Sequence, residues 1–271
     1  MNILVTLDKN YLPPLRVMLG SMFLNNKGTA FDIYVISNDL DQKDMEGLSI
    51  LCQDNGSRLH SVRIENNTFD GAPTIRYYTK AMYYRLLAAD LLPEELDRIL
   101  YIDPDTLIIN SLADIYSTDF KGNLFAAASH SGLLGVSDYV NRIRLSAYEA
   151  EGYFNSGVLL MNLTAMRSQV KAQDIFAYAK KNKKQLILPD QDILNALYGH
   201  KILAMDDSVW NYDARYFEGY WLGSQGSKDM DWVMDNTVIL HFCGKNKPWS
   251  KDYVGFFSAL YKHYQRLLGE K

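Results

Sequence analysis

Four short stretches of this sequence hold residue types that can do chemistry together. The sharpest is Tyr101-Ile102-Asp103-Pro104-Asp105-Thr106, in which two carboxylates one residue apart follow directly on an apolar run. Successive strand side chains point to opposite faces, but a turn can fold both acids toward one point, and Pro104 stiffens such a turn by fixing its own φ. Two oxygen donors suit a hard divalent cation, which would in turn neutralise a diphosphate. The same acids could instead accept backbone N–H groups in an ordinary strand-ending turn. A second stretch is His241-Phe242-Cys243-Gly244-Lys245-Asn246-Lys247-Pro248-Trp249. Its imidazole closes the apolar run Val238–Leu240 and is a candidate metal ligand. Gly244 permits close backbone approach, and Lys245 or Lys247 can hold phosphate as a point charge.

The third stretch is Asn155-Ser156-Gly157, a polar turn entering the buried run Val158–Met161. It either brings Asn155 close to a ligand or is a plain turn. The fourth is Pro189-Asp190-Gln191-Asp192, leading a helix whose Ile193, Leu194 and Leu197 share one face. Asp190 reads as a helix N-cap, and both acids suit the positive end of the helix dipole. Alternatively, Gln191 and its acidic neighbours line a polar pocket for hydroxyl groups.

The elements that must position these residues begin with strand Ile3–Leu7, the turn Asp8-Lys9-Asn10 and a helix Leu15–Leu24 opened by Pro13-Pro14. Strand Phe31–Ile36, helix Asp41–Cys52 and a strand over Leu59–Ile64 follow. Such alternation predicts parallel strands with helical crossovers, whose ligands sit beyond the carboxyl ends of the strands, where Asp8 and Asn10 fall. A helix Thr79–Leu91 is closed by Pro93, and strand Arg98–Ile102 runs into Asp103. Farther on, strands Leu124–Ala128 and Val158–Leu163 mix with helices Ser137–Leu145, Thr164–Lys181 and Asp190–Leu197. The apolar run Thr237–Phe242 and a helix Tyr253–Leu268 close the chain. With no internal repeat and no Gly-, Ser- or Pro-rich linker, residues 1–271 read as one domain.

Composition excludes several classes. The 271 residues carry 28 Lys plus Arg against 32 Asp plus Glu, a net charge of -4, which argues against nucleic acid as a partner. Two distant cysteines, Cys52 and Cys243, predict a reduced, cytoplasmic protein rather than a disulfide scaffold or a four-thiolate zinc site. Asp8 and Lys9 interrupt any signal-peptide core, and no apolar run is long enough to span a bilayer. Phosphate-binding Gly-x-x-x-x-Gly-Lys, dinucleotide Gly-x-Gly-x-x-Gly and serine-hydrolase Gly-x-Ser-x-Gly motifs are missing. His60, His130, His200, His241 and His263 lack metalloprotease spacing. The 19 Tyr, 11 Phe and 4 Trp either fill a mixed core or offer faces for sugar rings and nucleobases.

Taken in order, the strand ending at Asp8 and Asn10, Tyr84-Arg85-Leu86, Leu100–Asp105, Tyr153–Leu163, Asp190–Asn195 and His241–Trp249 resemble glycosyltransferase family 8 over nearly the whole chain. That family includes bacterial lipopolysaccharide galactosyl- and glucosyltransferases and glycogenin. The resemblance implies a GT-A fold, an α/β architecture with a mostly parallel central sheet flanked by helices. A nucleotide-binding half would span about 1–110 and a donor-sugar and acceptor half about 111–271. It further implies a UDP-sugar donor (UDP-glucose or UDP-galactose), Mn²⁺ or alternatively Mg²⁺, retention of anomeric configuration, and a carbohydrate or glycolipid acceptor in bacterial cell-surface polysaccharide synthesis. Carried over by motif, Asp103, Asp105 and His241 would hold the metal, with Pro104 between the two acids. Asp8 and Asn10 would contact uridine, with backbone contacts from Thr6 and Leu7. Arg85, Asn155 and Ser156 would meet the donor sugar or steady the acids, Asp190 and Gln191 would sit beside the anomeric carbon, and Gly244 and Lys247 would grip the diphosphate.

Gln191 is a poor nucleophile, so a front-face route is expected, with Asp190 as the fallback nucleophile. Two features depart from the family pattern. His130 stands in Ala128-Ser129-His130-Ser131, where many bacterial members carry an acid that touches the sugar, which leaves the donor open. The helix around Phe256–Tyr264 could touch lipid through a basic, aromatic face as a weak peripheral contact, or pack on the core. The aromatics of Asp206–Asp231, namely Trp210, Tyr212, Tyr216, Phe217, Tyr220 and Trp221, could cover the site, stack on an acceptor or fill the core. The competing classes are a sugar-phosphate nucleotidyltransferase and a non-catalytic UDP-sugar-binding protein. The first calls for a Gly-rich basic loop after the first strand, and Leu7-Asp8-Lys9-Asn10 is not one.

Overall fold

Short aliphatic runs separated by amphipathic helices can bury both strand faces only if helices cover each side of a sheet. The computed structural model, which describes residues 1–64, 83–129, 140–145, 147 and 149–270, has this arrangement. Strands β1 (Asn2–Thr6), β2 (Asp32–Ile36), β3 (Arg58–Val62), β4 (Arg98–Ile102), β6 (Phe125–Ser129), β7 (Phe154–Asn162) and β8 (Ile202–Met205) form one sheet in the order β3-β2-β1-β4-β7-β6-β8. The β3-β2-β1-β4 half is parallel, β7 runs antiparallel to β4 and β6, and β8 is parallel to β6. Alternation sends Leu4, Ile99 and Tyr101 into one core, and Ile3, Val5, Leu100 and Ile102 into another beneath helix α1 (Leu12–Asn25).

A second, smaller sheet joins β5 (Thr106–Ile108), β10 (Ile239–His241) and β9 (Tyr212–Asp213), with β10 central. Its core holds Tyr212, Tyr220, Phe242, Phe257 and Tyr261. Tyr212 and Tyr220 stack at 4.2 Å, so these two members of the Asp206–Asp231 aromatic set are core residues and not a lid.

Other expectations need correction. Helix Thr164–Lys181 is two helices, α2 at Leu163–Gln169 and α3 at Ala172–Asn182, because Val170 and Lys171 are extended. Part of the expected Thr79–Leu91 helix lies outside the described residues. Within the rest the α-helix covers only Ala88–Leu91, and 84–87 form turns whose Tyr84, Leu86 and Leu87 are buried. The closing helix, α5, spans only Ser258–Leu267, and it buries Tyr261. Helix α4 (Pro189–Tyr198) starts one residue early. Pro189 occupies its first turn, so Asp190 is not the N-cap. His130 and positions 137–139 of the expected helix Ser137–Leu145 lie outside the described residues, and 140–144 are helical. No helix among the described residues is long and apolar enough to cross a membrane.

Candidate active site

The two acids sit where the chain leaves one sheet for the other: Asp103 follows β4 and Asp105 precedes β5. Antiparallel pairing of β5 with β10 sets His241 opposite Thr106, and the Phe242 N–H donates to the Asp105 carbonyl at 3.0 Å. This register brings one ligand atom each from Asp103, Asp105 and His241 within 4.8 Å of one another. From β7, the Gly157 carbonyl accepts the Asp103 N–H at 2.7 Å. A Cβ at Gly157 would collide with His241 Cε1 and lie 2.7 Å from Asp103 Oδ2, so only glycine lets the acid and the imidazole converge here.

A directional chain of side-chain hydrogen bonds stands behind the triad. His241 Nδ1 donates to Asn211 Oδ1 at 2.8 Å, Asn211 Nδ2 to Asn155 Oδ1 at 2.9 Å, and Asn155 Nδ2 to Gln191 Oε1 at 3.3 Å. Asn155 Oδ1 also accepts the Gly157 N–H at 2.8 Å, which fixes which way that amide points. With Nδ1 engaged, His241 presents Nε2 toward Asp105, at 3.4 Å from Oδ1. Two carboxylates and an imidazole so oriented fit a hard or borderline divalent ion such as Mn²⁺ or Mg²⁺.

Arg85 ties Asp103 to Asp190. Its guanidinium lies 3.0 Å from Asp103 and 3.1 Å from Asp190, donates to the Ser156 carbonyl at 3.0 Å, and sits 4.5 Å above the Tyr101 ring. Its buried Nε has no hydrogen-bond partner among the described residues. Tyr101 donates to Asp103 and meets Thr6 Oγ1 at 3.1 Å, so the Thr6 hydroxyl faces inward. Asp190 also accepts from Ser156 Oγ at 3.0 Å. Burial raises Asp103, with the charge of Asp105 acting in the same direction against Arg85. For Asp105, burial is outweighed by His241 and Lys247, which hold it below the usual carboxylate range. Burial opposes charge on His241, but Cys243 and Asp105 outweigh it and raise the imidazole well above its ordinary value.

A cavity of about 430 Å³ opens over this cluster, lined by Arg85, Asp103, Asp105, Asn155, Asp190, Gln191 and His241 among others. Asp192, expected with them, is instead fully buried away from it. Arg144 grips its carboxylate at 2.7 and 3.0 Å, Tyr153 donates at 2.6 Å, and it caps the Ile187 N–H at 2.6 Å. Asp8 and Asn10 are exposed beyond β1, where Asp8 accepts the Asn10 N–H at 2.9 Å, and neither lines the cavity. Lys247 pairs with Asp105 and donates to the Phe242 carbonyl at 2.9 Å. Gly244 has φ +88°, and its Cα faces Arg215. Reading the sequence missed Asn211, Asp213, Arg215 and Arg144. A polar residue locked between Trp210 and Tyr212 was the one signal for Asn211.

The profile of glycosyl transferase family 8 matches residues 2–253. A lipopolysaccharide 1,2-glucosyltransferase of Escherichia coli is 28% identical over 261 residues, covering 94% of this chain and 74% of the relative. General stress protein A of Bacillus subtilis is 25% identical, covering 97% and 92%. The crystal structure of the galactosyltransferase LgtC superposes with a TM-score of 0.82 at 22% identity, covering 100% of this chain and 97% of LgtC, which establishes the shared GT-A fold. With the family match running over nearly its whole length, the chain belongs to glycosyl transferase family 8.

Proposed function

We propose that this protein is a metal-dependent, retaining hexosyltransferase that moves glucose or galactose from UDP to a glycan or glycolipid acceptor. The observation that carries this reading is the convergence of Asp103, Asp105 and His241 in the same cavity as Arg85, Asp190 and Gln191. Relatives named as lipopolysaccharide glucosyl- and galactosyltransferases support a hexose donor and a cell-surface acceptor. In this reading the chain works as one unit in the cytoplasm, with the nucleotide held by the half up to about residue 110. The outward face of α5, with Lys262 and Arg266, offers at most a weak peripheral membrane contact.

Asp103, Asp105 and His241 would hold the ion, which when bound supplies Lewis-acid charge to the diphosphate. Lys247 is within the same cluster and adds a positive charge beside the leaving group. The bond from anomeric carbon to phosphate oxygen breaks as the acceptor oxygen forms its bond on the same face, and the departing phosphate takes the acceptor's proton. Asp190, held by both Arg85 and Ser156, is constrained and charge-compensated, which favours this route over attack by its carboxylate. Gln191 and Asn155, which line the cavity, would border the reacting carbon.

Calorimetric titration of UDP with and without Mn²⁺, on the native protein and Asp105→Asn, tests the donor half. Metal-dependent binding that the substitution abolishes is the expected result, and metal-independent binding overturns it. UDP release from UDP-glucose and UDP-galactose then identifies the hexose, and NMR of the product anomer tests retention. Gln191→Ala slows turnover without abolishing it, whereas trapping a glycosyl-Asp190 adduct would refute the front-face route.

A further inference from the structure

Beside the cavity over the acid cluster lies a second of about 530 Å³, and the two share Arg215, Cys243 and Gly244 as a common wall. The second is closed by Lys245, Asn246, Tyr253, Val254 and Phe256. This annex shares none of Asp103, Asp105, His241, Arg85, Asp190 and Gln191 with the first cavity.

Its chemistry is set by Arg215. Asp213, fully buried, grips this guanidinium through Nε at 2.9 Å and Nη2 at 2.6 Å. The fork is further seated 5.0 Å from the Tyr216 ring centroid. Nη1 donates no hydrogen bond among the described residues, and the side chain is 45% exposed. A Cβ at Gly244 would lie 2.9 Å from Nη1, so the glycine keeps that edge of the fork open. A guanidinium held rigid by one carboxylate loses little further entropy on meeting a second anion. Exposed Lys245 adds a second cation at the rim, and half-exposed Phe256 offers a ring face.

We propose that this annex is an acceptor subsite that reads an oxyanion, a phosphate or a carboxylate carried on the acceptor sugar, through Arg215 Nη1 and Lys245. The proposal rests on the hexosyltransferase reading above. It identifies the acceptor by chemistry: a glycan bearing negative charge close to the hydroxyl that is glycosylated.

The test uses the full chain saturated with Mn²⁺ and UDP, titrated with galactose, galactose 6-phosphate and galacturonic acid. One of the two charged sugars should bind about ten-fold or more tighter than galactose, the usual scale of a charge-assisted hydrogen bond, and the one preferred identifies phosphate or carboxylate. Arg215→Gln should bring all three to similar affinity while UDP affinity holds. Because that substitution strands buried Asp213, the exposed Lys245→Gln is measured alongside and should lose part of the preference in a protein of unchanged melting temperature. Equal binding of charged and neutral sugars, or a preference that survives both substitutions, overturns the proposal. A matching loss of UDP affinity in Arg215→Gln would assign the guanidinium to the donor diphosphate and also overturn it. Failure of the native protein to bind UDP at all would instead strike the underlying reading.

Discussion

Replacing Asn211 probes whether the imidazole is a ligand because of what lies behind it. Asn211 is fully buried and its side chain makes two hydrogen bonds, accepting from His241 Nδ1 and donating to Asn155 Oδ1. Asn211→Leu keeps the side-chain size but removes both, leaving His241 free to rotate or to place its proton on Nε2. Loss of such a supporting partner costs about 10- to 100-fold in metal affinity, or about 1.4–2.7 kcal/mol. The two stranded groups cost about 1–3 kcal/mol each in stability, a fall of several degrees in Tm for a chain of this size. Asn211→Asp separates the two bonds. Its carboxylate still accepts from Nδ1, but it cannot donate to Asn155, whose Oδ1 then faces a negative oxygen. Mn²⁺ affinity should therefore be retained in the Asp variant while UDP-sugar turnover drops, because Asn155 and Gln191 lose their anchor. Electron paramagnetic resonance of free Mn²⁺ measures the affinity directly and does not depend on turnover. A folded Asn211→Leu protein that binds Mn²⁺ within about two-fold of the native chain would refute the reasoning.

The other expectations draw on separate contacts. Gly157→Ala forces His241 and Asp103 apart and should reduce Mn²⁺ affinity at least as much as Asn211→Leu, with about 1–3 kcal/mol of overpacking seen in denaturant unfolding; unchanged Mn²⁺ affinity would contradict the close approach. Arg85→Met leaves Asp103 and Asp190 without their enclosed cation and should cost about 3–5 kcal/mol, so an unshifted urea midpoint would show that the pairs contribute nothing. The raised His241 value means that protons compete for Nε2. Metal affinity should rise with pH by about ten-fold per unit below that raised value and level off above it, with a proton released on binding. Calorimetry in buffers of different ionisation enthalpy measures that release, and a pH-independent affinity with no proton release would contradict it.

Much of the framework was legible locally. Strand runs such as Ile33–Ile36 and Leu100–Ile102, the turn at Asp103-Pro104-Asp105 and the run into His241 each carry their pattern within a few residues. Helix limits were less legible where buried Tyr84, Leu86 and Leu87 lie in turns, or where a single break at Val170 and Lys171 splits a continuous pattern. Asp190 and Asp192 illustrate the limit more sharply. As neighbours in one polar string they read alike, yet Asp190 turns to Arg85 and the cavity while Asp192 turns to Arg144 and Tyr153.

What the sequence by itself determined is the order of strands, helices and turns and the residue types waiting at their ends, because hydrophobic period and turn chemistry act over a few residues. Only the tertiary structure decided that β5 pairs with β10, that Asn211 stands behind His241, and that Arg215 is gripped by Asp213 with one edge left open. Register between distant strands, not local preference, selects which polar groups meet. A buried polar group must find its partner wherever the packed chain places one.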